Sequence, residues 1–344
     1  MRIVISILFF TILFTQIHCF ASFKPRPIQA CFKIHGMPGN EDLALHRAKK
    51  MLYISSHNRR NFMELGKIFS IDLSKPDAEL RPKTLTANYP PNFRPHGMSL
   101  VEGSGKEKLY VISHTTQEDD AHTVEVFEID GENFSHINTM KNPNLNSPND
   151  LFALPDGRIF VSNDHGPGGA ISQKMDDIFK RKRSKIAYFD GKDWWSLGPG
   201  VAFGNGIFYR KEGEREFIYQ SAFMSSAVIK FELIQDTNGK PDLKEVERFD
   251  IGSGPDNLEL DVDGKIFLTA HPSVFRFLRH VSSAENFSPT QAFKIDPEKK
   301  TIEEIYANEG EEISAGSTAL PFNKRLILSQ VFEDFLLICP MQEK

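Results

Sequence analysis

An internal repeat with a period near 50 residues constrains the fold of this chain more than any other feature of its sequence. Each copy reads as an alternating strand, a polar turn and a second run of β-forming residues that closes on Ser, Thr or His. The copies start roughly 52 to 60 residues apart and occupy 43–57, 98–114, 151–165, 206–222, 258–272 and 317–330. Six tandem copies at this spacing predict a repeat architecture.

More strand patterns lie between the copies. They occupy 66–73, 123–130, 184–191, 227–234 and 291–297. Each repeat therefore carries about four strands, which is typical of one blade of a β-propeller. The sequence predicts an all-β fold, a single six-bladed propeller domain over 31–340. The alternative, two unrelated β-sandwiches, does not account for the period.

Polar residues stand immediately before the first strand of each copy. The first strand of a propeller blade lines the central tunnel, so equivalent positions of different blades face one another. The six pairs are Glu41-Asp42, His96-Gly97, Asn149-Asp150, Asn205-Gly206, Asp256-Asn257 and Gly316-Ser317. Side chains that follow one another at intervals of about 50 residues in the chain are thus expected to converge near the axis.

The chemistry of the convergent residues favours calcium in the tunnel. They supply carboxylate and amide oxygens without cysteine, and Ca²⁺ accepts six to eight such ligands. Mg²⁺ suits the set less well because it prefers to keep several waters. Four carboxylates gathered without a counter-ion would also repel one another. The alternative is that these are ordinary turn residues, since Asn, Asp and Gly are frequent where a chain enters a strand.

Histidine interrupts the oxygen pattern in the second repeat. Imidazole is a poor calcium ligand but a good general base near neutral pH, so His96 is a candidate base beside the metal. His114 ends the second strand of the same repeat, which could return it to His96. His165 ends the second strand of the third repeat, and its role stays open. The alternative for each is a solvated or hydrogen-bonded histidine.

The N-terminus and the cysteines indicate an exported protein. Residues 1–21 combine one positive charge, a short apolar run and small residues at Cys19 and Ala21, so a secretory signal cleaved after Ala21 is expected. A retained N-terminal membrane anchor is the alternative. Cys19 belongs to this segment, whereas Cys31 and Cys339 lie near opposite ends of the mature chain. In the oxidising setting of a secreted protein they are expected to form a disulfide, the alternative being two isolated thiols.

The charge balance argues against nucleic acid as a partner. The net charge of the chain is −5, which offers no reservoir of positive charge for phosphate backbones. No Cys-x-x-Cys pair exists, which excludes a cysteine zinc site.

Several stretches of the chain together form a recognisable family pattern. They include CFKIHGMPGNEDLAL, NFRPHGMSL, NLNSPNDLFAL, AFGNGI and GPDNLELD, in that order along the chain. With LYVISH, VSNDH and the stretch 315–340 they extend from Cys31 to Cys339. In these stretches the chain resembles the paraoxonase (serum arylesterase/lactonase) family, which is a six-bladed propeller with two calcium ions in its tunnel.

The resemblance implies a role for each convergent residue. A catalytic calcium would be held by Glu41, Asn149, Asn205, Asp256 and Asn257. A structural calcium would use Asp42, Asp150 and the backbone carbonyl of Met98. His96 and His114 match the histidine pair that activates water, and Cys31–Cys339 matches the family's disulfide. The implied activity is calcium-dependent hydrolysis of small-molecule esters and lactones. The sequence contains no Gly-x-Ser-x-Gly motif, so it gives no indication of a covalent serine intermediate.

The sequence also departs from the family. Residues 166–185 correspond to an apolar helix of the serum enzymes, but here they are polar and end in a basic run expected to be a solvated face. Lipoprotein or membrane docking is therefore not inherited. The loops expected to line the substrate pocket do not align with those of the family, so the resemblance does not show whether lactones, aryl esters or organophosphates are preferred. The sequence does not show the oligomeric state either. Two other classes remain: a calcium-stabilised binding module without activity, and a strictosidine-synthase-like protein.

Overall fold

Twenty-four strands form six four-stranded sheets in the computed structural model, which describes residues 23–103, 106–114, 122–131 and 133–341. Every strand pairs antiparallel with its neighbour. The predicted six-bladed propeller is confirmed. The proposed signal segment 1–21, with Cys19, lies outside the described residues.

The blades follow one another along the chain, and each runs from an inner strand to an outer one. After β1 (Phe32–His35), blade 1 contains β2 (Asn40–His46), β3 (Met51–Ser56), β4 (Lys67–Asp72) and β5 (Lys83–Thr84). Blade 2 contains β6 (Pro95–Val101), β7 (Glu107–Ser113), β8 (Thr123–Asp130) and β9 (Asn133–Lys141). Blade 3 contains β10 (Pro148–Ala153), β11 (Ile159–Asn163), β12 (Ser184–Phe189) and β13 (Trp194–Val201).

The second half repeats this order. Blade 4 contains β14 (Gly204–Glu212), β15 (Arg215–Ala222), β16 (Ala227–Gln235) and β17 (Pro241–Asp250). Blade 5 contains β18 (Gly254–Leu260), β19 (Ile266–His271), β20 (Thr290–Asp296) and β21 (Thr301–Asn308). Blade 6 contains β22 (Gly316–Phe322), β23 (Arg325–Gln330) and β24 (Phe335–Pro340), with β1 as its fourth strand.

The N-terminal strand closes the ring of blades. β1 pairs with β24 in the register Phe32 to Ile338, so both ends of the chain contribute to blade 6. A disulfide joins Cys31 to Cys339 beside this pairing, with their Cα atoms 4.2 Å apart. The predicted bridge is confirmed. The closure ties together residues separated by 308 positions in the chain.

The hydrophobic core is divided among the blade interfaces. The described residues form six apolar clusters, and each combines side chains of two neighbouring blades. Leu43 and Ile54 of blade 1, for example, pack with Leu320 and Ile338 of blade 6. The middle strands are thus buried on both faces, which explains why they read as nearly continuous apolar runs.

Every inner strand is irregular at its start. The register shifts by a β-bulge between Asn40 and Leu43 of β2, and at the equivalent place of each other inner strand. Such bulges re-aim side chains. The polar pairs predicted to precede the strands therefore lie inside them. In blade 6 the bulge holds Ser317-Thr318 in place of the predicted pair Gly316-Ser317, one residue further along.

The loops that follow the second strand of each blade lie at the same end as the bulges, because the end of that strand pairs with the start of the inner one. We call this end the tunnel mouth. It carries α1 (Ala170–Phe179) in blade 3, α2 (Val274–Ser282) in blade 5 and the loop 57–66 in blade 1. Short 3₁₀ turns occur at Asp77–Glu79 and Phe223–Ser225. Within the described ranges, no helix has the length and apolar character needed to cross a membrane.

Candidate functional site at the tunnel mouth

Bulge residues of blades 5, 6 and 1 meet at the tunnel mouth. The side-chain amide of Asn257 donates to Glu41 Oε1 at 3.0 Å, and the Ser317 hydroxyl donates to the same oxygen at 2.8 Å. The Thr318 hydroxyl donates to the backbone carbonyl of Glu41 at 3.0 Å. Residues 216 positions apart in the chain are thereby brought into contact, as the repeat predicts.

Asp42 and Asp150 join neighbouring blades through equivalent contacts. Asp42 accepts the backbone N–H of Leu43 at 2.8 Å within its own bulge and that of Met98 in blade 2 at 2.6 Å. Asp150 accepts the corresponding N–H groups of Leu151 at 2.7 Å and of Ile207 in blade 4 at 2.8 Å. Each carboxylate therefore satisfies donors that a bulge leaves without a ladder partner.

A recurrent hydroxyl explains why the second strands close on Ser or Thr. Ser55 and Ser162 accept the backbone N–H of Asp42 and Asp150, at 3.1 and 3.0 Å. Ser329 accepts the N–H of Thr318 at 2.9 Å. In these blades a side chain of the second strand replaces the ladder bond that the bulge removes.

Four buried oxygens of the bulges have no hydrogen-bond partner. They are Glu41 Oε2, Asn149 Oδ1, Asn205 Oδ1 and Asn257 Oδ1, on side chains of residues no more than 7% exposed. Buried polar atoms are nearly always paired, so each orphan calls for an explanation. These atoms come from blades 1, 3, 4 and 5, and all belong to the predicted ligands of one calcium ion. We call them the oxygen ring.

Burial disfavours the ionised form of the carboxyl groups at the tunnel mouth and raises their pKa values. It raises the pKa of Glu41 to about 7, although Arg59 opposes the rise. Burial, followed by the charges of Asp150 and Glu41, raises the pKa of Asp42 well above its usual range. The pKa of Asp150 is raised in the same way, with burial as the largest cause. A bound cation would favour the ionised form of these carboxyl groups and lower their pKa values.

Asp256, the remaining predicted ligand, is oriented by a histidine that sequence reasoning missed. His271 Nε2 lies 2.8 Å from Asp256 Oδ2, and both side chains are buried. His271 ends the second strand of blade 5, as His114 follows that of blade 2. The repeated position was the available signal for this residue.

The two histidines predicted to form a pair lie side by side. The ring centroids of His96 and His114 are 4.5 Å apart, and His122 lies 5.1 Å beyond His114. His96 Nδ1 is 3.5 Å from Glu41 Oε2, beside the oxygen ring. Burial, reinforced by the Arg59 charge, lowers the pKa of His96 well below its usual value. Burial also lowers the pKa of His114 to about 3. Both imidazoles are therefore neutral at pH 7.

His165 does not face the oxygen ring but holds α1 to blade 3. Its Nε2 lies 2.8 Å from Asp177 Oδ1 on that helix. The neighbouring Asp164 does face the mouth, where burial raises its pKa to about 7. The basic run after α1 is not simply a solvated face, because Arg181 and Arg183 both pair with buried Asp176, at 2.6 and 3.2 Å.

Arg59 is the second residue that sequence reasoning missed. It lies in the loop 57–66, and its side chain is only 12% exposed. Its Nη2 is 3.8 Å from Glu41 Oε2 and contacts His96 Nδ1. No sequence signal distinguished this arginine from a solvated one.

Among the residues that the structure describes, no group of three or more His, Cys, Asp or Glu side chains is arranged to hold a metal ion. The reason lies in the composition of the oxygen ring. Three of its four orphan atoms are amide oxygens, while Asp42 and Asp150 are turned toward backbone N–H groups. A cation here would depend on asparagine as much as on carboxylate.

Fold and site together define a class, a six-bladed propeller with a mixed carboxylate and amide ring beside paired imidazoles. The family model described as Arylesterase matches residues 53–340. Because the match covers most of the chain, the protein belongs to the arylesterase family. The resemblance to the paraoxonases is confirmed.

The curated relatives are serum paraoxonases. Serum paraoxonase/lactonase 3 of Homo sapiens is 22% identical over 281 residues, covering 79% of this chain and 76% of the human protein. Serum paraoxonase/arylesterase 2 of Gallus gallus is 24% identical over 323 residues, covering 90% and 88%.

Solved structures share the fold at lower identity. A gluconolactonase from Xanthomonas campestris has a TM-score of 0.53 at 12% identity, covering 93% of this chain and 96% of its own. Regucalcin from Agrobacterium tumefaciens, described as a calcium-binding protein, has a TM-score of 0.53 at 13% identity, covering 93% and 94%. These likenesses establish the propeller architecture.

Proposed function

We propose that this protein is a calcium-dependent hydrolase of small-molecule lactones and aryl esters that works at the tunnel mouth. The family, and the words lactonase and arylesterase in the names of its relatives, support the class of reaction. The observation that supports calcium is that equivalent bulges of four blades each leave one buried oxygen without a hydrogen-bond partner, and that two neutral imidazoles lie beside the Glu41 member of this set.

The donor set of the oxygen ring fits calcium. Ca²⁺ takes amide carbonyls as well as carboxylates, at about 2.3–2.6 Å. Glu41, Asn149, Asn205 and Asn257 would hold the ion through their orphan oxygens, with Asp256 completing the set. When bound, calcium would polarise a substrate carbonyl and stabilise the negative charge that develops on its oxygen.

Asp42, Asp150 and the carbonyl of Met98 are the proposed ligands of a second, structural calcium. Asp150 accepts two backbone N–H groups, and a carboxylate offers about four lone-pair sites, so capacity remains on Asp150. Asp42 accepts two backbone N–H groups and also the Thr318 hydroxyl at 3.3 Å and the Asn257 amide at 3.5 Å, so a cation there would replace the two longer bonds. The raised pKa of each carboxyl supports a cation nearby. A propeller of the same fold is described as calcium-binding, which agrees with this proposal.

His96 is the proposed general base. It would accept a proton from water while the water oxygen bonds to the carbonyl carbon and the carbonyl oxygen becomes an oxyanion. As the carbonyl re-forms, the bond from the carbon to the alcohol or phenol oxygen would break, and that oxygen would take the proton from His96. The lowered pKa of His96 leaves its ring unprotonated before the reaction. His114 Nε2 donates to the Pro148 carbonyl at 2.8 Å, which leaves His114 Nδ1 unprotonated in the neutral ring. Its fixed ring packs against His96 and would assist it.

Export is part of the proposal. Disulfides such as Cys31–Cys339 persist in oxidising compartments and are rare in the cytosol. The substrate would therefore be met outside the cytoplasm.

The test is hydrolysis of phenyl acetate and of a simple δ-lactone by the purified mature chain, with calcium and after chelation. We expect both activities in calcium and neither after chelation. His96→Gln should lower kcat by roughly 10²–10⁴, the usual contribution of a positioned base. His136→Gln is a matched control, because His136 pairs with Glu125 at 2.8 Å in the outer strands of blade 2.

Each outcome separates one part of the proposal from the rest. Full activity of His96→Gln would refute the role of His96 as general base but would leave the proposed role of calcium unaffected. No activity on either substrate, with calcium bound, would favour the binding module. Activity in a protein shown to contain no calcium would refute the metal.

A further inference from the structure

The hydrolytic proposal leaves one buried charge at the tunnel mouth without a role. The guanidinium of Arg59 lies beside Glu41 of the oxygen ring, with 12% of its side chain exposed. Its Nη2 is 3.8 Å from Glu41 Oε2 and contacts His96 Nδ1. The charges of Glu41, Asp256 and Asp164 favour its charged form there, against the effect of burial.

The loop that carries Arg59 is anchored so that this side chain points into the mouth. The next residue, Arg60, lies 3.1 Å from Glu333 Oε1 and donates to the His280 carbonyl at 3.0 Å. Its guanidinium also stacks over the Phe332 ring, 4.6 Å from the centroid. Arg60 is thus held by α2 and by the β23–β24 loop, in blades 5 and 6. The position of Arg59 is built by the fold.

Arg59 and calcium require the same atom. Glu41 Oε2 is an orphan by hydrogen-bond geometry, and the guanidinium is the only cation that the structure places beside it among the described residues. A calcium ligated by this oxygen at about 2.3–2.6 Å would lie within roughly 6.4 Å of Arg59 Nη2. A divalent cation and a guanidinium at this separation repel strongly in a buried site.

We propose that Arg59 is an internal competitor of calcium for the oxygen ring. It neutralises Glu41 when calcium leaves, and it withdraws from Glu41 and His96 when calcium binds. Calcium loading would then free a metal ligand and the lone pair of the proposed base in the same step. The inference rests on the calcium proposed above, and it predicts that this chain binds calcium more weakly than its oxygen ligands alone would allow.

The test compares calcium binding and stability in wild type, Arg59→Gln and Arg59→Lys. Calcium affinity is measured by competition with a chelating dye, and the melting temperature is measured in calcium and in chelator. Arg59→Gln should bind calcium about tenfold more tightly or better, because a like charge has been removed. It should also melt lower than wild type in chelator. Arg59→Lys should keep the wild-type affinity within a few-fold.

Arg158→Gln is the matched control. Arg158 is a partly buried arginine that pairs with Glu216 at 2.7 Å, away from the mouth. Its loss should lower the melting temperature equally in calcium and chelator, without changing calcium affinity.

Two results would overturn the inference, and they differ in what else they refute. If wild type binds calcium and Arg59→Gln binds it equally or more weakly, the competition is refuted while the proposed hydrolase stands. If neither protein binds calcium, both proposals fail together.

Discussion

Removing calcium should lower the free energy of unfolding by several kcal/mol. Four buried oxygens of the described bulges lack hydrogen-bond partners, and each such atom costs about 1–3 kcal/mol when unsatisfied. Because Arg59 neutralises Glu41 when calcium is absent, relief of the smallest of these penalties is counted at the three amide oxygens alone and amounts to about 3 kcal/mol. A single ion at a thousandfold excess over its Kd can supply about 4.1 kcal/mol, so an increment of this size is measurable at that excess.

Guanidinium unfolding followed by the fluorescence of Trp194 and Trp195 would measure this difference, in calcium and in chelator. Asn205→Ala removes one orphan oxygen without a change of charge, so it should shrink the calcium increment while keeping the denaturant slope. An unfolding free energy that is the same in calcium and in chelator, within about 0.5 kcal/mol, would refute the reasoning.

Three further predictions concern the closure, the carboxylates and the inner strands. Replacing Cys31 and Cys339 by Ser should cost about 6 kcal/mol by the chain-entropy estimate for a 308-residue separation, and reductant should not affect the double variant. In chelator, the melting temperature should fall as pH rises from about 4.5 through 7. The pKa of Glu41 is raised to about 7 in the folded protein, so the buried carboxyl favours the folded state only while it is protonated. Calcium should reverse the trend because it binds the ionised carboxylate. Gly97→Ala should abolish calcium binding, since a Cβ there would lie 2.5 Å from the backbone of β10. Gly169→Ala meets open space and should leave calcium binding unchanged.

The repeat made the fold readable from the sequence. Strand patterns recur because every blade buries its middle strands against both neighbours, as Leu43 and Leu320 do across the closure. The polar pairs were visible for the same reason, since equivalent bulges in different blades must be satisfied by similar side chains. Cys31 and Cys339 marked the closure because they lie near opposite ends of the predicted propeller domain.

The bulges themselves were not visible. A polar pair beside a strand reads as a turn, and only the register of the second strand shows that Glu41 and Asp42 lie within β2. For the same reason the predicted blade 6 pair, Gly316-Ser317, was wrong by one residue, because the bulge holds Ser317-Thr318.

Arg59 escaped prediction because nothing local determines where it points. Its loop is not part of the repeat, and it is anchored through Arg60 to a residue 220 positions away. His271 was missed for a different reason. Its partner Asp256 was already assigned to the metal, although the histidine stood at a repeated position.

The most direct test of the calcium ring is an anomalous difference map from crystals grown in calcium. We predict a calcium peak about 2.3–2.6 Å from the four orphan oxygens. Those oxygens belong to Glu41, Asn149, Asn205 and Asn257. Density for the Arg59 guanidinium against Glu41, with no calcium peak at the ring, would contradict the account.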